Sequence, residues 1–261
     1  MNNLEAVHYL HPIFLQPPHP ITVNIIGAGG TGSHFCYALA NMAQTLLETG
    51  HPAFFVKVYD EDTIQKPNIG RTTYSRSEIG LNKAVAIVNR INHSAGLTWQ
   101  AVPKRYDNQR ETANMTITCV HTKGDRVMIG KQLTNANKSN NYSPTNPLYW
   151  LDCGNATDTG QAILSTVTKL QQPKSNMYLP VGYLPLVTEE YGEFMVDEPD
   201  TPSCSVAEAI SKQDLFINPS ISLAAIKLLW QYFKQGMSHY RGVFVNNRNH
   251  STVGLPIKAK Y

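Results

Sequence analysis

The sequence has no C-x-x-C pair: its four cysteines, Cys36, Cys119, Cys153 and Cys204, are widely separated. That spacing excludes a structural zinc site and a small disulfide scaffold. It also lacks a dense run of lysine or arginine. The 22 basic and 19 acidic residues leave a net charge of +3, with no electrostatic footprint for nucleic acid. No stretch approaches the roughly 18 apolar residues of a membrane span, and MNNLEAVHYLHPIFLQPPHP has neither a basic start nor a continuous apolar run. These absences predict a cytoplasmic protein with no nucleic-acid or membrane partner. No internal repeat is present. What remains is ordinary globular composition, 42% hydrophobic and 16% charged over 261 residues, enough for one α/β domain with appendages.

The apolar, β-branched run ITVNIIG, bounded by Pro20 and Gly27, predicts a buried strand of a parallel sheet. Phe35, Leu39, Met42 and Leu46 then fall at helical spacing behind the caps Thr31 and Ser33, and the pattern stops at Gly50-His51-Pro52. AFFVKVYD supplies a second strand ending on Asp60. After a loop of about twenty residues comes a helix from Asn82 to His93, with Leu81, Ala84, Val85, Val88 and Ile91 on its apolar face. This βαβα order predicts a right-handed parallel unit. LTWQAVP, MTITCV, PLYWLDCGN and GQAILSTVTKL follow as strands, and QLTNANKSNNYSPTNP as a mobile surface loop. The acidic stretch from Leu179 to Thr201 suits a solvated crossing segment. A short helix around Val206 to Ser211, a long one from Pro219 to Gln235, and a hairpin of GVFVNN with TVGLPIK close the chain.

IGAGGTGSHF places Gly27, Gly29, Gly30 and Gly32 between a strand and a helix start, where backbone N–H groups and the helix dipole favour phosphate. Taken alone, the loop fits a dinucleotide redox cofactor and ATP equally, because Asp60 at the end of the second strand suits a ribose in either case. The stretch DEDTIQKPNIGRTTY adds Asp62, Asn68 and Arg71, and Lys83 follows at the next helix start. Cationic clamps of this kind stabilise charge developing on a transferred phosphorus.

The order G-x-G-G-x-G-S, then D-x-D-x-I-x-x-x-N-I-x-R, then K resembles the ubiquitin-activating superfamily that ThiF and MoeB represent in bacteria. The segments Cys119 to Arg126, Leu151 to Asn155 and Gly160-Gln161 extend the likeness from Ile21 to about Pro256. Within that superfamily the chain looks most like the PRTRC-system ThiF family, with TPSCSVAEAISKQDLFIN as its most telling stretch.

The resemblance implies a single α/β domain, Rossmann-like, with a mostly parallel sheet flanked by helices and an antiparallel C-terminal extension. Residues 1–20 form an N-terminal extension, 21–130 a nucleotide-binding half, and 148–261 a partner-binding half with a crossing loop. It implies ATP-dependent adenylation of the C-terminal glycine of a small ubiquitin-like or sulfur-carrier protein, with Mg2+ as cofactor. A homodimer follows by the same analogy, with a conjugating-enzyme-like protein as a further partner. Gly27, Gly29, Gly30 and Gly32 would form the phosphate-side turn, Asp60 would hold the ribose, and Asn68, Arg71 and Lys83 would surround the phosphates; Asp62 would border the nucleotide or simply cap the loop. Many relatives pass the acyl group to their own cysteine, and Cys204 has that place.

The chain departs from the family in CVHTKGDR, where His121 stands in place of a carboxylate that helps hold magnesium, a cation that prefers oxygen ligands. His121 therefore borders the nucleotide, and Asp152 or Asp125 is left as the metal candidate. The structural zinc of ThiF and MoeB is not expected here, and no arginine precedes Arg71 to complete a partner's site. Two other functions remain: a ThiF-like scaffold without strong adenylation, and, more distantly, an NAD-dependent oxidoreductase.

Overall fold

The computed structural model describes residues 4–107, 111–138, 144–195 and 213–259. The chain opens with β1 (Ala6–Tyr9) and then forms β2 (Ile21–Ile26), α1 (Gly30–Glu48), β3 (Phe54–Tyr59), α2 (Lys83–Ala95) and β4 (Gln100–Val102). It continues through β5 (Met115–Thr118), α3 (Lys123–Lys138), β6 (Tyr149–Asn155), β7 (Thr159–Thr166), β8 (Leu179–Pro180) and α4 (Val187–Glu190). The last described elements are α5 (Ile217–Gln235), β9 (Met237–Ser238), β10 (Tyr240–Asn246) and β11 (Ser251–Pro256).

Eight strands form one sheet in the order β11-β10-β7-β6-β5-β2-β3-β4. From β4 to β6 the pairings are parallel, and from β6 to β11 antiparallel. This is the α/β, Rossmann-like sheet with an antiparallel C-terminal extension that the sequence predicts. The β-branched residues of β2 pack on both faces, so the strand is hydrophobic almost throughout. Phe35, Leu39, Met42 and Leu46 of α1 join the main core together with Ile221, Ala224, Leu228 and Tyr232 of α5. Asn82 caps α2 by accepting from Val85 N at 3.1 Å, and left-handed Gly96 ends it. Leu81, counted on the apolar face of that helix, lies ahead of it and is 51% exposed.

Four expectations are corrected. QLTNANK is the final part of α3 and not a loop, because Ile129 and Leu133, one turn apart, bury against Trp150. An ideal Cβ at Gly130 would lie 3.0 Å from the Trp150 ring, so the glycine lets helix and indole meet. Residues 1–20 are more than an appendage: β1 is the middle strand of a second sheet, β8-β1-β9. Buried His8 accounts for part of that anchoring. Its Nδ1 donates to Val181 O at 2.6 Å, which leaves Nε2 to accept from Tyr149 Oη at 2.9 Å. Burial holds this imidazole down at about 4. The acidic crossing segment is only partly solvated, since Leu184, Leu186 and Val187 are buried and Glu190 pairs with Arg241 and Lys258. Lastly, Thr31 and Ser33 lie inside α1, and Gly29 occupies the cap position. The predicted helix at 206–211 lies outside the described residues.

Candidate functional site at the sheet switch point

Strand order reverses between β2 and β5, so the chain leaves these two strands in opposite directions and opens a crevice at their carboxyl ends. Gly27 and Cys119 line that point. Gly27 has φ +92°, and an ideal Cβ there would lie 2.7 Å from Cys119 O. Gly30 and Gly32 are held just as tightly: a Cβ would lie 2.5 Å from Asn218 Nδ2 at one and 1.9 Å from Gly27 O at the other. Gly29 differs. A Cβ there would meet nothing within 4 Å, so the turn presents open space in front of the amino end of a 19-residue helix.

Asp60 is tied directly to this turn. Ala28 N donates to its Oδ2 at 2.7 Å and Asp62 N to its Oδ1 at 2.9 Å, leaving each oxygen a further lone pair. Burial raises its pKa, opposed by nearby Lys83 and by the two backbone donors. Asn82 Nδ2 donates to Asp60 O and Asp62 O, and Tyr74 Oη lies 2.7 Å from Ala28 O and 3.0 Å from Lys83 O. The glycine turn, the end of β3 and the start of α2 are thereby joined. Lys83 Nζ reaches Asp62 Oδ2 at 2.7 Å, with the lysine side chain 11% exposed and the aspartate 64%.

Arg71 enters from the loop between β3 and α2. Its NH1 lies 3.5 Å from Gln213 Oε1, and its Nε is buried without a hydrogen-bond partner. Burial lowers its pKa. Asn68 is turned to its own loop, its Oδ1 accepting from Gln65 N at 2.8 Å. The structure thus brings together Gly27, Gly29, Gly30, Gly32, Asp60, Asp62, Lys83 and Arg71. It adds Asn82, Tyr74, Gln213 and Asn218, to which the sequence assigns no site role, although Tyr74 ends DEDTIQKPNIGRTTY and Gln213 and Asn218 lie in TPSCSVAEAISKQDLFIN.

The remaining candidates are arranged otherwise. His121 is exposed, and its carbonyl accepts from Arg126 NH1 at 3.1 Å. Asp152 is fully buried: Arg126 Nε donates to both its oxygens at 3.0 and 3.1 Å, and Thr118 Oγ1 to Oδ1 at 2.6 Å. Asp125 accepts from Arg105 and from Thr122 Oγ1. Neither carboxylate is disposed to hold Mg2+, and among the described residues no group of three or more His, Cys, Asp or Glu side chains can hold a metal. Asp152, the metal candidate, is the ion-pair partner of Arg126. Cys204 lies outside the described residues, whereas Cys36 and Cys153 are buried and Cys119 partly so. No described helix is long and apolar enough to cross a membrane.

No family profile and no curated protein sequence matches the chain. Solved structures do. Escherichia coli MccB with ATP superposes with a TM-score of 0.57 at 13% identity, over 94% of this chain and 66% of that one. The microcin C7 biosynthetic enzyme MccB in complex with N-formylated MccA gives 0.59 at 13% identity, over 94% and 67%. PaaA gives 0.57 at 11% identity, over 95% and 68%. The chain spans 66% of the length of that ATP-bound MccB, and at these identities the likeness is one of fold.

Proposed function

We propose that the chain is an ATP-dependent adenylating enzyme of the ThiF-like kind, with the PRTRC member as the specific relative. Its substrate in this reading is the C-terminal glycine of a small ubiquitin-like or sulfur-carrier protein. The observation that carries the proposal is the convergence of the open Gly29 turn, Asp60, Lys83 and the incompletely paired Arg71 at one switch point. MccB structures hold ATP, and one holds AMPCPP together with MccA, which supports a nucleotide and a second substrate meeting on this fold.

Asp60 has lone pairs left for ribose hydroxyls, and the Gly27–Gly32 turn offers backbone N–H groups and the helix dipole to phosphate. Arg71 and Lys83 stabilise charge as the glycine carboxylate bonds to the α-phosphorus and the bond to the bridging oxygen breaks, releasing pyrophosphate. Lys83 has to exchange Asp62 for phosphate to do so. The acyl group then passes to the Cys204 thiol with release of AMP. A homodimer and a conjugating-enzyme-like partner belong to the same proposal. The carboxylates expected to hold Mg2+, Asp125 and Asp152, are paired with Arg105 and Arg126.

Pyrophosphate–ATP exchange, assayed with small proteins ending in glycine, is the test. Partner-dependent exchange supports the reading; no ATP binding and no exchange with any such protein rejects it. A ThiF-like scaffold is the second reading, favoured by exposed His121 and by the commitment of Asp125 and Asp152 to ion pairs. It predicts tight partner binding that Lys83→Ala leaves intact. An NAD-dependent oxidoreductase accounts for Asp60 and leaves Arg71 and Lys83 without a role.

A further inference from the structure

Asn218, the second residue of α5, is 1% exposed at the contact between α5 and α1. A buried amide is costly unless both its ends are paired, and here both are. Thr31 Oγ1 donates to Asn218 Oδ1 at 3.0 Å, and Asn218 Nδ2 donates to Gln213 Oε1 at 3.0 Å. The same Gln213 oxygen takes Arg71 NH1 at 3.5 Å. One continuous line of side chains therefore runs from the first turn of α1 to the guanidinium. The backbone is shaped for it, because no side chain larger than hydrogen fits at Gly30 beside Asn218. Ser222 Oγ, 2.8 Å from both Thr31 O and Asn218 O, fastens the two helices at the same point.

The segment carrying Gln213 is anchored on the opposite side as well. Asp214 N donates to Thr157 O at 2.7 Å in the turn between β6 and β7. Its Oδ1 accepts from Phe216 N at 3.0 Å and from Asn247 Nδ2 at 2.9 Å in the C-terminal hairpin. Gln213 thus stands between the antiparallel half of the sheet and Arg71. Its single long contact orients the guanidinium without using up its donors, since Nε has no partner.

We infer that Gln213 and Asn218 are positioning residues, which aim Arg71 at the phosphate side of the glycine turn and couple its placement to the partner-binding half. The inference rests on the reading that this turn binds ATP. It is tested on the full chain by calorimetric titration of ATP and of adenosine into wild type, Gln213→Leu, Arg71→Ala and the double variant, with Asn218→Ala as a second route. Gln213→Leu should weaken ATP by roughly tenfold while leaving adenosine within about twofold, as expected when a charge-assisted contact to phosphate is lost. In the Arg71→Ala background the same substitution should add less than about twofold, because residues acting through one another are not additive. A Gln213 effect that multiplies with that of Arg71→Ala, or that falls equally on adenosine, overturns the inference and leaves the ATP site standing. Wild type that binds no ATP overturns the reading of the site, and the inference with it.

Discussion

In the parallel half of the sheet, Lys83 leans on Asp62, a carboxylate 64% exposed, and Arg71 keeps a buried Nε without a partner. In the antiparallel half and its border, Arg126 spends its donors on Asp152, Val120 O and His121 O, and Arg241 spends its own on Glu190, Leu164 O and Pro185 O. Both halves bury cations, but the terminal nitrogens of Arg126 and Arg241 reach protein acceptors at 3.1 Å or less, whereas Arg71 NH1 has one contact at 3.5 Å. Buried charge is costly and is tolerated when its hydrogen bonds are filled from within. Where they are not filled, the vacant donors are the places for a ligand's oxygens. By this criterion chemistry belongs to the parallel half, and the other half's charges hold its strands and loops in place.

The largest effect should therefore come from breaking a filled network. Arg126→Met leaves Asp152 buried and uncompensated, which should cost about 3–5 kcal/mol in urea denaturation. A loss under about 1 kcal/mol would erase the contrast between the halves. Next is acid. His8 binds a proton at about 4 in the fold and at 6.5 when unfolded, so the unfolded state holds more protons between those values. Stability contributed by neutral His8 is complete above pH 6.5 and lost as pH falls toward 4. The total is about 3 kcal/mol, and His8→Gln should flatten the slope in pH-dependent melting. In the parallel half the loss falls on activity instead: Lys83→Ala should lower pyrophosphate exchange by about a hundredfold or more with little change in melting temperature.

The contrast also explains what could be read in advance. The nucleotide half was legible because its signals are local: a β-branched run, glycines at fixed spacing, one helical stripe and charges within sixty residues of Gly27. The roles of Asn218 and Gln213 were not, although both lie in TPSCSVAEAISKQDLFIN, since they reach Thr31 and Arg71 across more than 140 positions. Asp152 was visible as a carboxylate at a strand end, yet only the fold shows Arg126 against it. α3 was hidden by Thr134, Asn135 and Asn137, with Ile129 and Leu133 too few to betray a stripe. β1, four residues long, depends on β8 and β9 for its existence.

The smallest expected effect separates the two aspartates of the site. Asp60 uses its carboxylate to hold the glycine turn through Ala28 N, whereas Asp62 contributes mainly backbone: its N–H goes to Asp60, and its carbonyl accepts from Lys83 N and Asn82. Asp62→Asn keeps those backbone bonds and removes only an ion pair whose carboxylate is 64% exposed, so stability should change by about 1 kcal/mol or less. Lys83 is then released from a competitor that it must leave to reach phosphate, and exchange should stay within about sixfold of wild type. A fall comparable to that of Lys83→Ala would mean that the Asp62 carboxylate itself works on the nucleotide. The spare capacity of the parallel half would then lie in its acids as well as in its cations.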